Sequence, residues 1–191
     1  MTTGIPRRLL RAEQVLAART RRVALVLEGS QDPHNVHAVL RTAEALGIQD
    51  VHLVAPRGDA AAISAGVTQR AHEWLSVLRH ASIDDAIARM RAEGRRVLGT
   101  ANAADGQPLT GLAPQGRVAL VLGNETEGMS ARAVELCDGL VRIDLVGFSG
   151  SLNLSVSAAL ASWELRRPDV QPGSGDLTPS ERAELRRQWY P

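Results

Sequence analysis

Short apolar runs alternate with segments of helical spacing along most of this chain, and that alternation restricts its fold more than any other feature. Residues 23–27 form a compact apolar run, and from 35 to 46 the apolar residues recur at helical spacing. Further short runs bounded by Gly, Pro, Asp or Asn have the length of buried strands, at 51–54, 75–78, 97–98, 118–122 and 140–143. Helical spacing recurs between and after them at 60–67, 83–93, 130–136 and 152–165. This order predicts an α/β fold built on a parallel sheet.

Both ends of the chain carry a further helix outside this core. The first, at about 6–19, begins at a proline suited to a first helical turn, and the last, at 180–189, follows a Thr-Pro start signal. The Pro- and Gly-rich stretch RRPDVQPGSGD precedes the last helix. A length of 191 residues fits one globular domain. We therefore expect a basic helical arm (1–22), a main domain (23–166), and a linker with a C-terminal helix (167–191).

Positive charge is concentrated at the N-terminus. All 22 basic residues are arginine, and six of them fall in the first 22 residues with one acid, Glu13, which leaves +5 there. The remaining 16 basic and 20 acidic residues leave −4. Because the planar arginine fork can grip two phosphate oxygens, such an arm suits binding to a polyanion. A solvated helix face remains an open interpretation of the cluster.

Several classes of protein are disfavoured by what the sequence lacks. No stretch is apolar for long enough to cross a bilayer, and the N-terminus has no apolar signal-peptide core, so we expect a cytoplasmic protein. The single cysteine, Cys137, excludes an internal disulfide and is expected to pack as a small hydrophobe. His34 and His37 lie one helical turn apart without a carboxylate at a known metal-site spacing, so we predict no metal.

Unusual polar residues gather in three loops near strand ends. The first is Asp32-Pro33-His34-Asn35, which leads into a helix carrying Arg41 among apolar neighbours, where an unpaired guanidinium would be costly to bury. The second, Gly123-Asn124-Glu125, follows a strand directly, and open α/β sheets bind ligands at that end of a strand. The third, 147–155, opens the long apolar helix with hydroxyl and amide side chains.

Each of these loops also has a purely structural interpretation. Asn35, Ser151 and Asn153 are residue types that commonly cap helices. The glycine of the second loop would equally suit a plain strand-to-helix turn. A helix start rich in hydroxyls and backbone amides is, however, also a site for an anion or a carboxylate. The combination of all three loops favours a ligand site.

The nucleotide-binding alternative with a Gly-x-Gly-x-x-Gly turn is disfavoured. Such a turn should follow an early strand, and Leu27-Glu28-Gly29-Ser30-Gln31 does not supply it. A dehydrogenase or a methyltransferase of the Rossmann type is therefore not expected.

Three segments resemble the motifs of the SpoU family of RNA methyltransferases, in order and spacing across 23–166. They are HNVHAVLRTAEALG, LVLGNETEGMS and VRIDLVGFSGSLNLSVSAAL. The flanking helices, VTQRAHEW and ERAELRRQWY further resemble the TrmH branch of that family, which acts on tRNA. The resemblance implies the SPOUT fold, an α/β knot whose C-terminal third threads through a loop as a deep trefoil knot, an exception to general topology rules.

The resemblance also implies an activity: transfer of a methyl group from S-adenosylmethionine to a ribose 2′-hydroxyl of tRNA, with the D-loop guanosine 18 as the expected target. The cofactor would bind among the knot loops, contacted by Thr100, Gly123, Ile143 and Leu152. The family resemblance assigns work at the ribose and phosphate to Arg41, Asn35, Glu125, Ser151 and Asn153. It further implies a homodimer.

The basic arm is then expected to hold RNA through Arg8, Arg11 and Arg19. Ribosomal RNA or another tRNA position is the alternative substrate. A non-catalytic RNA-binding relative is the second alternative, although all the motif residues are present here.

Overall fold

Seven parallel strands form one sheet at the centre of the computed structural model, which describes residues 7–30, 32–54, 73–101, 106–112, 115–169, 171 and 173–190. The strands are β1 (Thr20–Glu28), β2 (Ile48–Val54), β3 (Ser76–His80), β4 (Arg95–Thr100), β5 (Gln107–Pro108), β6 (Arg117–Leu122) and β7 (Gly139–Arg142). Their order across the sheet is β3-β2-β1-β6-β4-β7-β5, and every pairing is parallel. The prediction of an α/β fold on a parallel sheet is confirmed.

Six helices of the described part of the chain flank the sheet. They are α1 (Arg7–Ala18), α2 (Pro33–Ala45), α3 (Ile83–Ala92), α4 (Ala131–Leu136), α5 (Leu154–Arg166) and α6 (Pro179–Trp189), with a short 3-10 helix (Arg167–Asp169) after α5. The helix expected at 60–67 lies outside the described residues. None of the helices in the described part of the chain has the length and apolar character needed to span a membrane.

Two hydrophobic layers cover the two faces of the sheet. On one face, α2 and α5 pack over strand residues that include Val23, Leu25 and Leu120. On the other, α3 and α4 pack over the alternate positions of the same strands, such as Ala24 and Val121. The sequences of the central strands are continuous apolar runs because both faces of the sheet are buried.

A third, smaller cluster joins the two terminal helices. Leu16 of α1 packs with Leu185 and Trp189 of α6 and with Leu177 before it. Thr178 begins α6 as the N-cap of a capping box with Glu181. The expected basic arm and C-terminal helix therefore pack together, and β1 begins at Thr20 rather than at 23.

Local capping decides where the other helices begin. Asp32 is the N-cap of α2, and its carboxylate accepts from the His34 backbone N–H at 2.9 Å. Asn35, one of the candidate caps, lies instead inside the first turn with its side chain free for other contacts. Asn153 does cap α5, accepting from the Ser155 N–H at 2.8 Å, whereas Ser151 lies before the helix.

Candidate cofactor and reaction site

A cavity of about 520 Å³ opens at the carboxyl ends of β4, β6 and β7. All four residues expected to contact a cofactor line it: Thr100, Gly123, Ile143 and Leu152. Apolar side chains such as Leu109 and Val141 form part of its wall. Its size is that of pockets for small organic ligands, and its position is where open parallel sheets bind them.

The loop after β6 forms one wall of this cavity and has a fixed backbone shape. Asn124 and Gly128 exchange two backbone hydrogen bonds of 3.1 Å, and the Asn124 side chain accepts from the Thr126 and Glu127 N–H groups. Gly123 has no room for a side chain, because an added Cβ would lie 2.0 Å from the Gly128 carbonyl carbon. Glycine at 123 is therefore required by the close approach of the Gly128 backbone.

Two residues at the end of β1, missed by the sequence reasoning, hold the two ends of the same loop. The Glu28 carboxylate accepts from the Ser130 backbone N–H at 2.9 Å and from the Ser130 hydroxyl at 2.6 Å. The Ser30 hydroxyl donates to Glu125 Oε1 at 3.1 Å. Glu28 could have been noticed in the sequence, because a carboxylate at the end of a buried strand needs a hydrogen-bond donor nearby.

A polar network, Ser30, Asn35, Glu125 and Asn153, brings the three predicted loops together. Asn35 Nδ2 donates to Glu125 Oε1 at 2.6 Å, and Asn153 Nδ2 donates to Asn35 Oδ1 at 3.0 Å. Asn35 is only 8% exposed, so its amide nitrogen and its amide oxygen bond to these side chains rather than to water. Three of the five predicted reaction residues are thus joined through Asn35 by hydrogen bonds.

The other two predicted reaction residues lie apart from that network. Ser151 is exposed and lines the cavity at the ends of β4, β6 and β7, which we call the cofactor cavity after the ligand expected there. Arg41 is also exposed, so the expected cost of burying it does not arise, and it forms no ion pair with any described residue. Arg41 lies six residues after Asn35 on α2, which turns it onto a different face of that helix.

Arg41 instead lines a second cavity, of about 820 Å³, which we call the basic groove. It is bounded by α1, α2, the residue Trp74 before β3, and the end of α6. Arg8 and Arg11, two of the three residues expected to hold RNA, are exposed along it. No residue that the structure describes lines both this groove and the cavity at the ends of β4, β6 and β7.

The third residue of that set, Arg19, is a correction to the sequence prediction. Its side chain is fully buried, pairs with Glu44 at 3.0 Å, and lies with its guanidinium carbon 5.4 Å from the centre of the Trp189 ring. Burial lowers the pKa of Arg19, although Glu44 opposes that shift. The Glu44 carboxylate balances its charge, and the packing of α1 on α6 removes its side chain from solvent. Arg19 therefore acts in packing and is not accessible to RNA.

Burial shifts the pKa values of two further groups, Cys137 and His52. Burial raises the pKa of Cys137 to about 11, so it remains a thiol at neutral pH and packs against the core as a small hydrophobe. Burial and the neighbouring His80 lower the pKa of His52 to about 3. Among the described residues, no group of three or more His, Cys, Asp or Glu side chains is arranged to hold a metal ion.

Known proteins share this architecture. The chain is 33% identical over 171 residues to the tRNA (guanosine(18)-2′-O)-methyltransferase of Escherichia coli (strain K12), covering 88% of this chain and 73% of that protein. The crystal structure of the A. aeolicus TrmH/SpoU tRNA modifying enzyme superposes with a TM-score of 0.82 at 24% identity, covering 96% and 95% of the two chains. The crystal structure of the AdoMet-bound rRNA methyltransferase from Sinorhizobium meliloti superposes with a TM-score of 0.66 at 27% identity. The match covers 80% of this chain and 60% of that one.

The family assignment rests on the same segment that builds the cavity. Residues 22–163, which carry every strand from β2 to β7 and nearly all of β1 and α5, match the model of the SpoU rRNA Methylase family. The three motif loops meet within that segment, at the carboxyl edge of the sheet. This chain therefore belongs to the SpoU rRNA methylase family.

Proposed function

We propose that this protein is an S-adenosylmethionine-dependent tRNA 2′-O-ribose methyltransferase whose target is guanosine 18 of the D-loop. The observation that carries the proposal is the cavity at the ends of β4, β6 and β7, with the polar network at its side. The name of the Escherichia coli relative supports tRNA and that guanosine as the substrate.

The cavity residues fit the proposed cofactor. Apolar walls suit the adenine ring, while Glu125, Glu127 and the loop backbone suit the polar amino-acid part. The Thr100 hydroxyl already donates to the Val121 carbonyl at 3.0 Å, so this residue would contact the cofactor through its main chain. When bound, the cofactor supplies the methyl group that is transferred.

The chain itself supplies positioning at the ribose. A 2′-hydroxyl must be held in line with the methyl donor, and such orientation contributes much of the rate. Asn35 and Asn153 fix the Glu125 carboxylate, and Ser151 lies at the mouth of the cavity to meet the ribose or phosphate. Because a guanidinium stays protonated in proteins, we assign Arg41 to orienting the hydroxyl and the RNA phosphate.

A homodimer would explain why Arg41 lies away from the cofactor cavity of its own chain. Exposed apolar side chains line one side of α5, where Val156 is 45%, Leu160 45% and Trp163 47% exposed, and Phe148 projects from the loop before it. Such a surface is typical of an interface. We propose that a second copy covers it and that residues of both copies complete the reaction site.

We also propose the deep trefoil knot. The segment 106–112 lies between β7 and α5: the Leu109 N–H donates to the Arg142 carbonyl at 2.8 Å, and the Gly111 N–H donates to Glu164 at 2.9 Å. A loop held on both sides in this way supports the threading that the family resemblance implies.

The experiment that tests the proposed function is mapping of ribose methylation. Unmodified tRNA and ribosomal RNA transcripts are each incubated with the protein and methyl-labelled S-adenosylmethionine, and the labelled nucleotide is located. We expect label only at guanosine 18 of tRNA, and none in a tRNA whose ribose 18 is already methylated. Label confined to ribosomal RNA or to another tRNA position would show that the proposed target is wrong and would identify the true one. No transfer to any RNA would contradict the enzyme assignment.

A variant of Arg41 separates chemistry from cofactor binding. Arg41→Ala should abolish transfer while calorimetry finds nearly unchanged affinity for the cofactor, because Arg41 acts at the RNA. Full turnover by this variant would overturn its assigned role.

A further inference from the structure

The basic groove contains three arginines that have no ion-pair partner among the described residues, whereas several other described arginines are paired with carboxylates. Arg21, Arg89, Arg95 and Arg132, among others, each have a carboxylate within ion-pair distance. Arg8, Arg11 and Arg41 have none among the described residues, and all three line this one cavity.

The acidic side chain in the same groove does not cancel this charge. Glu44 lines the groove, but its Oε1 is bound to the buried Arg19 at 3.0 Å. The exposed part of the groove is therefore positive, and it is complementary to a phosphate backbone.

Aromatic side chains gather at the same place. The chain has five Trp, Tyr and Phe residues in total, and three of them, Trp74, Trp189 and Tyr190, line this groove. Trp189 is 6% exposed and packs edge-on against Trp74, with ring centres 5.4 Å apart. The buried Trp189 ring therefore packs against Trp74 and holds it in place. Trp74 and Tyr190 are themselves only half-buried. Supported, partly exposed rings next to arginines are the arrangement on which single-stranded nucleic acids stack their bases.

We propose that the basic groove binds an unpaired nucleotide of the RNA substrate, its base stacked on Trp74 or Tyr190 and its phosphates held by Arg8 and Arg11. A base inside a duplex cannot present its face to these rings, so the groove favours a loop over a helix. Arg41 lines the groove as well, so the nucleotide held there neighbours the one on which Arg41 acts. This inference rests on the proposed function for the identity of the RNA but concerns a site separate from the cofactor cavity.

The test measures binding of a fluorescein-labelled pentaadenylate RNA to the full chain by anisotropy. Trp74→Leu or Tyr190→Leu, whichever variant removes the ring that holds the base, should weaken binding by about tenfold, the usual effect of losing one stacked base. The matched variants Trp74→Phe and Tyr190→Phe keep a ring and should bind nearly as the wild type does. A short RNA duplex should bind more weakly and should not respond to loss of either ring.

The arginine contribution is separated by salt dependence. Arg11→Gln should reduce the slope of binding affinity against salt by about 0.7, the value for one phosphate contact with a single strand. Arg117→Gln is the matched control, since Arg117 is exposed, forms no ion pair with a described residue and lines neither cavity. It should leave the slope unchanged.

Methyl transfer to tRNA distinguishes failure of this inference from failure of the proposed function. Trp74→Leu should raise the KM for tRNA with kcat and cofactor affinity retained, which also shows that the variant is folded. Equal oligonucleotide binding by the Leu and wild-type proteins would overturn the groove assignment even if the wild type methylates tRNA. A change in oligomeric state without a change in RNA binding would overturn it too, by assigning the groove to a second copy. If the wild type transfers no methyl group, the proposed function fails, while the oligonucleotide data still decide the groove.

Discussion

The side chain of Asn35 connects the first predicted loop to the other two, and its removal is the sharpest test of the polar network. Asn35→Ala deletes one hydrogen bond to the Glu125 carboxylate (2.6 Å) and one from the Asn153 amide (3.0 Å). A bond to a charged group contributes about 1.5–3 kcal/mol and a neutral one about 0.5–1.5 kcal/mol. The combined loss of about 2–4.5 kcal/mol, if it falls on the transition state, lowers the rate of methyl transfer by about thirtyfold to two-thousandfold.

The assay measures transfer under saturating cofactor, cofactor affinity by calorimetry, and the melting temperature. We expect the rate to fall more than the cofactor affinity, because Asn35 itself does not line the cavity and Glu125 is the one network residue that does. A rate within about threefold of the wild type, in a folded protein, would refute the reasoning.

Asn35→Asp provides a second, qualitatively different readout. It places a carboxylate at hydrogen-bond distance from Glu125, and two such groups cannot both stay ionised, so one pKa must rise. The variant should therefore be more active at mildly acidic pH than at alkaline pH, relative to the wild type. Asn35→Ala should not gain activity in this way. The same pH profile for both variants would contradict the placement of the amide between the two loops.

Three further outcomes are expected. Gly123→Ala should weaken cofactor binding by about tenfold in calorimetry, because its methyl group would displace the Gly128 backbone, and overpacking of this kind costs about 1–3 kcal/mol; unchanged affinity would show that the loop is not part of the cofactor site. Trp163→Glu should shift the protein toward monomer in sedimentation, since it places a charge on the exposed apolar side of α5; a wild type that is itself monomeric at micromolar concentration would refute the dimer. The folded-state pKa of His52, about 3, lies below its ordinary 6.5, so the unfolded chain takes up this proton first and stability is lost as pH falls from 6.5 toward 3. At pH 5 this proton uptake lowers the free energy of unfolding by about 2 kcal/mol. Urea unfolding should therefore show a smaller fall in the free energy of unfolding between pH 7 and pH 5 for His52→Leu than for the wild type.

Much of the fold could be predicted because its strands are buried on both faces. A strand such as β6 (Arg117–Leu122) then reads as an uninterrupted apolar run, which stands out from polar loops. The two-residue strand β5 (Gln107–Pro108) was missed, since it is exposed and too short to form any pattern. The residues expected to contact a cofactor could be named from the motif resemblance, and they line one cavity because the carboxyl ends of parallel strands bring such residues to one edge of the sheet.

The sequence by itself determined the alternation of strands and helices, the three polar loops and the basic N-terminal segment, because each depends on neighbouring residues. Only the tertiary structure decided which arginines face solvent: Arg19 and Arg11 belong to one basic cluster, yet packing of α1 on α6 buries the first and leaves the second exposed. It also decided the clamp between Glu28 and Ser130, 102 positions apart, and the position of Arg41 in a groove with α1, Trp74 and the end of α6. Contacts between distant positions leave no periodicity in the sequence, since they are fixed by how the elements pack rather than by what lies beside each residue.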